Sequence, residues 1–198
     1  MDVPEKSIKS FRTAAAFEKW LAANHAKAKD IFIKINRKDS GLPTVTATEA
    51  LDIALCYGWI DGIRKSFDET SFLQRYSPRT KKSIWSQVNR DNIARLTAAG
   101  RMTPHGQKEV DLAKADGRWD AAYAPMRSAS DATMPEDLRA AIYANPRALA
   151  TYKTLGKMNL FSLAFRTNNM KTAAGRARKI ESLVAMLAKG ETPVPDRK

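Results

Sequence analysis

Three arginines lie close together in the central part of the chain: Arg64, Arg75 and Arg79. A guanidinium group pairs with a carboxylate or phosphate through two parallel hydrogen bonds, a geometry that lysine does not offer. If the segments that carry these arginines face one groove, we expect the groove to bind an anion. The first hypothesis is therefore an anion site in this stretch.

Aromatic side chains of the same stretch extend the hypothesis, because they can form a wall on which a planar ligand or a nucleobase stacks. Asp61 would orient one of the arginines, or act as an acid or base if it is buried. The candidate ligand-binding residues are Trp59, Asp61, Arg64, Arg75, Tyr76, Arg79 and Trp85.

Each of these residues has a structural alternative that stays open. Trp59 and Trp85 are typical core residues, and Tyr76 can pack across two strands. Asp61 directly precedes Gly62, a pair that favours a turn in which the carboxylate accepts local backbone donors. The residues after Pro78 can form a solvated basic loop without any ligand.

Other kinds of site find less support in the sequence. His25 and His105 are far apart and stand in no ligand spacing, so we predict no metal site. Cys56 is expected to be an inert core thiol, since a reactive thiolate needs an accessible electropositive setting. A glycine-rich phosphate loop, a dinucleotide fingerprint and a nucleophile elbow are missing, and we predict no cofactor.

The composition of the 198 residues indicates a globular protein with a strong positive charge. The hydrophobic fraction is 43% and the charged fraction is 28%, but the net charge is +13. Such an excess favours contact with nucleic acid, an acidic protein or an anionic surface, or it serves solubility alone. The polar first residues, the lack of an apolar run of about 20 residues and the single cysteine predict a cytoplasmic protein without a transmembrane segment.

Local patterns predict the elements that position the candidate residues. Thr13 is expected to cap a helix that ends near Asn24 or His25, after a loose arm over residues 1–10. Residues 31–36 alternate with isoleucine on one side, which is typical of a strand. The capping box of Thr46 and Glu49 predicts a helix, and Gly58 is suited to end it.

The candidate residues themselves fall on a predicted hairpin and the loop after it. Residues 59–62 are expected to form a turn, and residues 62–67 and 71–76 two antiparallel strands. A proline lacks the backbone donor that a strand ladder needs, so residues 77–82 are expected to form a basic loop. Two helices should follow, one over residues 83–99 and one from Pro104 to the glycine at 117.

The predicted fold class is α+β, with a small antiparallel β-sheet packed with helices, followed by an all-helical C-terminal subdomain. We expect the α+β domain over residues 1–123, a linker over 124–134, the helical subdomain over 135–190 and a tail over 191–198. The subdomain should begin with helices near 135 and after Asn145–Pro146, and end with one over residues 173–189. Its basic side, with Arg176, Arg178 and Lys179, can meet phosphates, so nucleic-acid binding is an alternative function.

Several motifs in order resemble those of the YdeI/OmpD-associated family, whose members are labelled bacteriocin-protection proteins. They are ALCYGWIDG at 54–62, RYSPR at 75–79, SIWS at 83–86 and GRMTP at 100–104, with RARKI at 176–180 and MLAKG at 186–190. The resemblance extends from about residue 17 to 190, and departs from the family pattern at FRTNN over 165–169. It implies a bacterial cytosolic α+β protein linked to bacteriocin protection or envelope stress, and it supplies no established catalytic residues.

The sequence thus favours a non-enzymatic binding protein of this family, with a small anionic ligand or an acidic protein partner at the arginine and aromatic groove. Two alternatives stay open. An enzyme would use Asp61 or Tyr76 in a closed pocket. A nucleic-acid-binding protein would join the 77–82 loop to the last helix in one positive face. The oligomeric state and the identity of the ligand are not predicted.

Overall fold

The computed structural model describes residues 7–195 and contains two compact units, one ending at Ala122 and the other beginning at Tyr123. Residues 1–6 of the predicted arm and 196–198 of the predicted tail lie outside the described residues. The predicted α+β class is confirmed, since the first unit combines a sheet with helices and the second is helical. Among the helices of residues 7–195, none combines the length and the apolar character needed to cross a bilayer.

The sheet of the first unit has four strands in the spatial order β1-β2-β4-β3. The strands are β1 (Ile8–Ser10), β2 (Ile31–Asn36), β3 (Trp59–Ser66) and β4 (Ser71–Pro78). β4 pairs antiparallel with β2 and β3, whereas β1 pairs in parallel with β2, so the sheet is mixed. Residues 8–10 are therefore not part of a loose arm. Their short sequence has no strand pattern, and backbone pairing with β2 alone defines the strand.

The predicted hairpin of β3 and β4 is present, but β3 begins earlier than expected. Trp59 pairs with Pro78 and Asp61 with Tyr76, so residues 59–62 belong to the strand and not to a turn. The register shifts between Asp61 and Arg64, which absorbs extra chain length in β3. Cross-strand pairing thus overrides the turn preference of an aspartate followed by a glycine.

Within residues 7–122, four α-helices complete the first unit: α1 (Ala14–Asn24), α2 (Ala47–Cys56), α3 (Gln87–Ala98) and α4 (Pro104–Ala115). The capping box of α2 is confirmed, because the amide of Glu49 donates to the Thr46 hydroxyl at 3.2 Å and the Glu49 carboxylate accepts from the Thr46 amide at 2.8 Å. The helix predicted from residue 83 begins only at 87, where the Ser86 hydroxyl caps it by accepting from the amide of Asn89.

The helix α2 lies between two hydrophobic cores. One core fills the space between α1, α2 and the sheet, and includes Phe17, Leu21, Ile31, Ile33, Ile53, Trp59 and Tyr76. The other joins α2 to α3 and α4, and includes Leu55, Cys56, Trp85, Ile93, Leu96 and Val110. Because α2 contributes to both cores, its residues from Asp52 to Cys56 are all buried. Asp52 forms an ion pair with Arg95 of α3 at 2.6 Å.

The start of α4 packs directly on the end of α2. The Thr103 hydroxyl and the Thr103 amide both donate to the Cys56 carbonyl, at 2.6 and 3.2 Å. A Cβ atom on Gly106 would lie 2.7 Å from the carbonyl carbon of Cys56, closer than real side chains approach. The absence of a side chain at Gly106 therefore permits this contact, which places the first turn of α4 beside Tyr57 and Gly58.

The second unit contains α5 (Glu136–Tyr143), α6 (Pro146–Tyr152), α7 (Lys157–Asn168) and α8 (Ala173–Ala188). Its core includes Leu138, Ile142, Ala148, Tyr152, Leu163, Leu183 and Leu187. Arg176 links α8 to α5 through two hydrogen bonds to the Asp137 carboxylate, at 2.6 and 2.8 Å. The segment after Asn145 forms two helices rather than the one predicted. Residues 126–128 and 131–133 of the predicted linker form short 3-10 turns.

We expect the substitution Gly106→Ala to lower the free energy of unfolding of the first unit by about 2–3 kcal/mol, because the added methyl group must push α4 away from α2. All four tryptophans lie in this unit, so tryptophan fluorescence during urea unfolding follows it selectively.

Gly62→Ala is the matched control. A Cβ atom at Gly62 meets nothing closer than the Cβ of Arg75 at 3.7 Å, an ordinary contact. We expect a change within about 0.5 kcal/mol for this variant. Equal stability of Gly106→Ala and the parent protein would contradict the close contact between α2 and α4.

Candidate functional site

The three arginines of the predicted groove do not converge. Arg64 pairs in register with Gln74, so these two side chains extend from the same face of the sheet. Successive residues of a strand project to opposite faces, and Arg75 therefore extends from the other face. The Nε of Arg64 donates to the Gln74 side-chain oxygen at 2.8 Å, and its guanidinium lies 4.4 Å from the ring centroid of Phe72. Arg64 thus covers the edge of the first core.

Arg75 is engaged in an ion pair on the opposite face. Its Nε and Nη2 donate to Oδ2 of Asp30 at 3.0 and 2.8 Å, and both side chains are partly exposed. The pair ties the end of β4 to the residue before β2. Arg75 and Arg64 therefore serve the sheet separately, and the alternation of the strand prevents them from facing one ligand.

Tyr76 and Asp61 are cross-strand neighbours with different surroundings. Tyr76 is only 1% exposed, and its hydroxyl donates to the Ala47 carbonyl at 3.3 Å. Burial raises the pKa of this phenol far above its ordinary value. Desolvation also raises the pKa of the Asp61 carboxyl, although the positive charges of Arg79 and Arg64 oppose this shift. Asp61 is nevertheless an exposed residue. This pair therefore does not form a closed acid-base site.

Arg79 and Trp85 form a buried stack. The guanidinium carbon of Arg79 lies 3.5 Å from the Trp85 ring centroid, and its Nη1 donates to the Ile84 carbonyl at 3.2 Å. Trp85 also contacts Trp119 in an edge-to-face arrangement with ring centroids 4.9 Å apart. Arg79, at 6% exposure, is held in a fixed position by these contacts.

Arg79 and Trp59, alone among the seven predicted residues, line a small common pocket. Its volume is about 210 Å³. The remaining wall comes from the end of α1, the α2–β3 connection, the end of β4 and the first turns of α4. The lining residues are His25, Ala26, Tyr57, Gly58, Trp59, Pro78, Arg79, His105, Lys108 and Glu109.

The pocket brings together the two histidines of the chain, whose ring centroids are 4.0 Å apart. His25 stands at the end of α1 and His105 in the first turn of α4, so the packing of α4 on α2 is what makes them neighbours. Sequence reasoning missed this pair, because residues so distant in the chain share no spacing rule. The Tyr57 ring extends the cluster, with its centroid 5.6 Å from that of His25.

Two hydrogen bonds hold His25 in place, one made by its ring and one accepted by its backbone carbonyl. Its Nδ1 lies 3.1 Å from the Ala22 carbonyl oxygen, which can only accept, so Nδ1 carries the proton. In the neutral ring the lone pair is then on Nε2, which is buried and has no hydrogen-bond partner among the described residues. The indole of Trp59 donates to the His25 carbonyl at 3.2 Å and anchors the end of α1 above the pocket.

The charged groups of the pocket are mainly cationic, with one carboxylate. Lys108 is exposed and Arg79 is buried, on different parts of the wall. Glu109 takes part in no ion pair within the described part of the chain. Its Cγ occupies space that a side chain at Gly58 would fill, since a Cβ atom there would lie 2.9 Å away. In residues 7–195 no cluster of three or more His, Cys, Asp and Glu side chains is suited to a metal ion.

The fold and the pocket define a protein with an α+β unit that carries a small basic pocket, and with a helical unit after it. Residues 9–109 match the family described as Domain of unknown function (DUF8412), slightly more than half of the 198 residues, and the chain belongs to this family. Residues 131–190 match the family described as Bacteriocin-protection, YdeI or OmpD-Associated, which confirms the predicted resemblance over that segment. Searches of curated proteins and of solved structures found no match.

We expect Arg79→Ala to lower the free energy of unfolding by about 3 kcal/mol, because it removes a desolvated cation–aromatic contact and the hydrogen bond to the Ile84 carbonyl. Arg79→Lys should restore only part of the loss, since an ammonium cannot stack as a planar guanidinium does. Urea unfolding followed by tryptophan fluorescence measures both variants.

Arg75→Ala is the matched control, because the ion pair it removes is partly exposed. Such pairs contribute at most about 1 kcal/mol. Similar losses for Arg75→Ala and Arg79→Ala would show that burial does not distinguish the two arginines.

Proposed function

We propose that this chain is a binding protein for a small anion, and that the pocket between α1, the α2–β3 connection and α4 is its site. The observation that carries the proposal is the position of Arg79, Lys108 and the histidine pair around one pocket of about 210 Å³. Drug-sized ligands occupy larger pockets, of roughly 300 Å³ or more. An ion of the size of phosphate or of a short carboxylate suits this volume better.

The groups around the pocket can contribute to anion binding in two ways, because one is held in place and others can adjust. Arg79 is immobilised against Trp85, so it provides a fixed positive charge in the wall of the pocket without loss of side-chain entropy on binding. Lys108 and His105 are exposed and can adjust their side chains to a bound ion. Buried Trp59 forms part of the wall, and an apolar wall strengthens the attraction between opposite charges.

The proposed site revises the groove that the sequence suggested. Trp59 and Arg79 are retained from it, and His25, His105 and Lys108 are added. The other predicted residues have roles in the fold: Arg64 and Arg75 have side-chain partners of their own, and Tyr76 belongs to the first core. A small ion is a better candidate than an acidic protein partner, because the convergent charges surround a recess rather than an extended surface.

An enzyme that uses Asp61 or Tyr76 is a weaker candidate, since the Tyr76 phenol is inside the core and donates to a backbone carbonyl. The predicted nucleic-acid face would combine the 77–82 loop with α8, which belong to different units. That face and the cytoplasmic location remain predictions from the sequence.

We expect inorganic phosphate at millimolar concentration to bind the full chain, and His105→Ala and Lys108→Ala each to weaken the binding by about two- to fivefold, the effect of one exposed charge or donor. Isothermal titration calorimetry measures the affinity. Chemical-shift changes of backbone amides on phosphate addition show whether the residues around Gly58 respond.

Lys114→Ala is the matched control, because it removes the same charge from an exposed position of α4 that does not line the pocket. We expect the phosphate affinity of this variant to be unchanged. Equal weakening by Lys108→Ala and Lys114→Ala would indicate attraction to the general positive charge, and the absence of phosphate binding would refute the proposal.

A further inference from the structure

We infer that the pocket selects an anion that still carries a proton, such as hydrogen phosphate, over a fully ionised anion of the same shape, such as sulfate. This inference rests on the proposed anion-binding function and specifies its ligand class. It follows from two hydrogen-bond acceptors that the cationic pocket contains beside its donors: the carboxylate of Glu109 and the Nε2 of His25.

Glu109 is placed to act as an acceptor toward the ligand. It stands one helical turn after His105, on the same face of α4, and lines the same pocket. The missing side chain at Gly58 leaves room for its Cγ, and no ion pair within the described residues neutralises it. A carboxylate in this position repels an ion that has only acceptor oxygens, but it accepts a hydrogen bond from a ligand hydroxyl.

His25 supplies the second acceptor. The Ala22 carbonyl holds the proton on Nδ1, so the lone pair of the neutral ring is on Nε2. This nitrogen is buried without a partner among residues 7–195, beside the His105 ring at a centroid distance of 4.0 Å. Because His105 is exposed, its side chain can change rotamer and give a ligand hydroxyl access to Nε2.

The combination of donors and acceptors matches a protonated oxyanion. Lys108 offers hydrogens to the charged oxygens and buried Arg79 adds positive charge to the wall, whereas Glu109 and His25 require a hydrogen from the ligand. Phosphate carries at least one hydroxyl at neutral pH, and sulfate carries none. A buried acceptor that meets no donor raises the free energy of the complex, so sulfate should bind with lower affinity than phosphate.

The test compares phosphate and sulfate by titration calorimetry of the full chain at neutral pH and equal ionic strength. We expect phosphate to bind at least about tenfold more tightly, the effect of one charge-assisted hydrogen bond gained against one repulsion. Methyl phosphate, titrated in the same way, distinguishes free phosphate from a phosphate ester: the ester is mostly a dianion without a hydroxyl at neutral pH, so we expect it to bind more weakly than phosphate, and tighter binding of the ester contradicts the inference.

Glu109→Gln is the decisive variant, because the amide keeps the shape of the side chain but can donate to sulfate. We expect the ratio of phosphate to sulfate affinity to fall to about threefold or less. Asp111→Asn is the matched control: it makes the same change on exposed α4 outside the pocket and should leave the ratio unchanged.

The imidazole nitrogen shifts of His25, measured by nitrogen-15 NMR, give a second readout in the unaltered protein. Phosphate should move the Nε2 signal toward that of a hydrogen-bonded acceptor, and sulfate should not. Equal binding of both anions overturns the inference while the anion site stands, and so does selectivity that survives Glu109→Gln when phosphate leaves the His25 Nε2 signal unchanged. Failure of both anions to bind refutes the proposed function itself.

Discussion

The contact between the start of α4 and the end of α2 is the constraint on which the first unit depends. Thr103 donates twice to the Cys56 carbonyl, and Gly106 allows the two backbones to meet without an intervening side chain. This contact closes the second core and, in the same step, places the first turns of α4 over Gly58. The same contact therefore stabilises the second core and sets the geometry of the pocket, and Gly106 influences both.

The arginines of this protein illustrate why a high positive charge is weak evidence for a function. Arg75 pairs with Asp30, Arg95 with Asp52, and Arg176 with Asp137. In each case the guanidinium joins segments that are distant in the chain. The cationic character of the proposed pocket comes from a small part of the net charge, at the position where buried Arg79 and exposed Lys108 surround a recess.

Much of the fold could be predicted because it rests on interactions between residues a few positions apart. The Thr46 and Glu49 capping box, the left-handed Gly58 that follows α2 and the alternating β2 strand each express a local preference of the backbone, and each is present. Elements without a local pattern escaped prediction. The β1 strand exists through pairing with β2, and residues 59–62 became extended because β4 offered partners.

The candidate site was less predictable, since it depends on which residues meet across the fold. Arg64 and Arg75 look equivalent in the sequence, but the register of one strand pair directs them to opposite faces. His25 and His105 look unrelated, but helix packing brings their rings together. Residue types and local spacing thus establish the helices, most of the strands and the presence of arginines suited to anions. Strand register and helix packing depend on interactions between residues that are distant in the chain, and they decide which residues share a pocket.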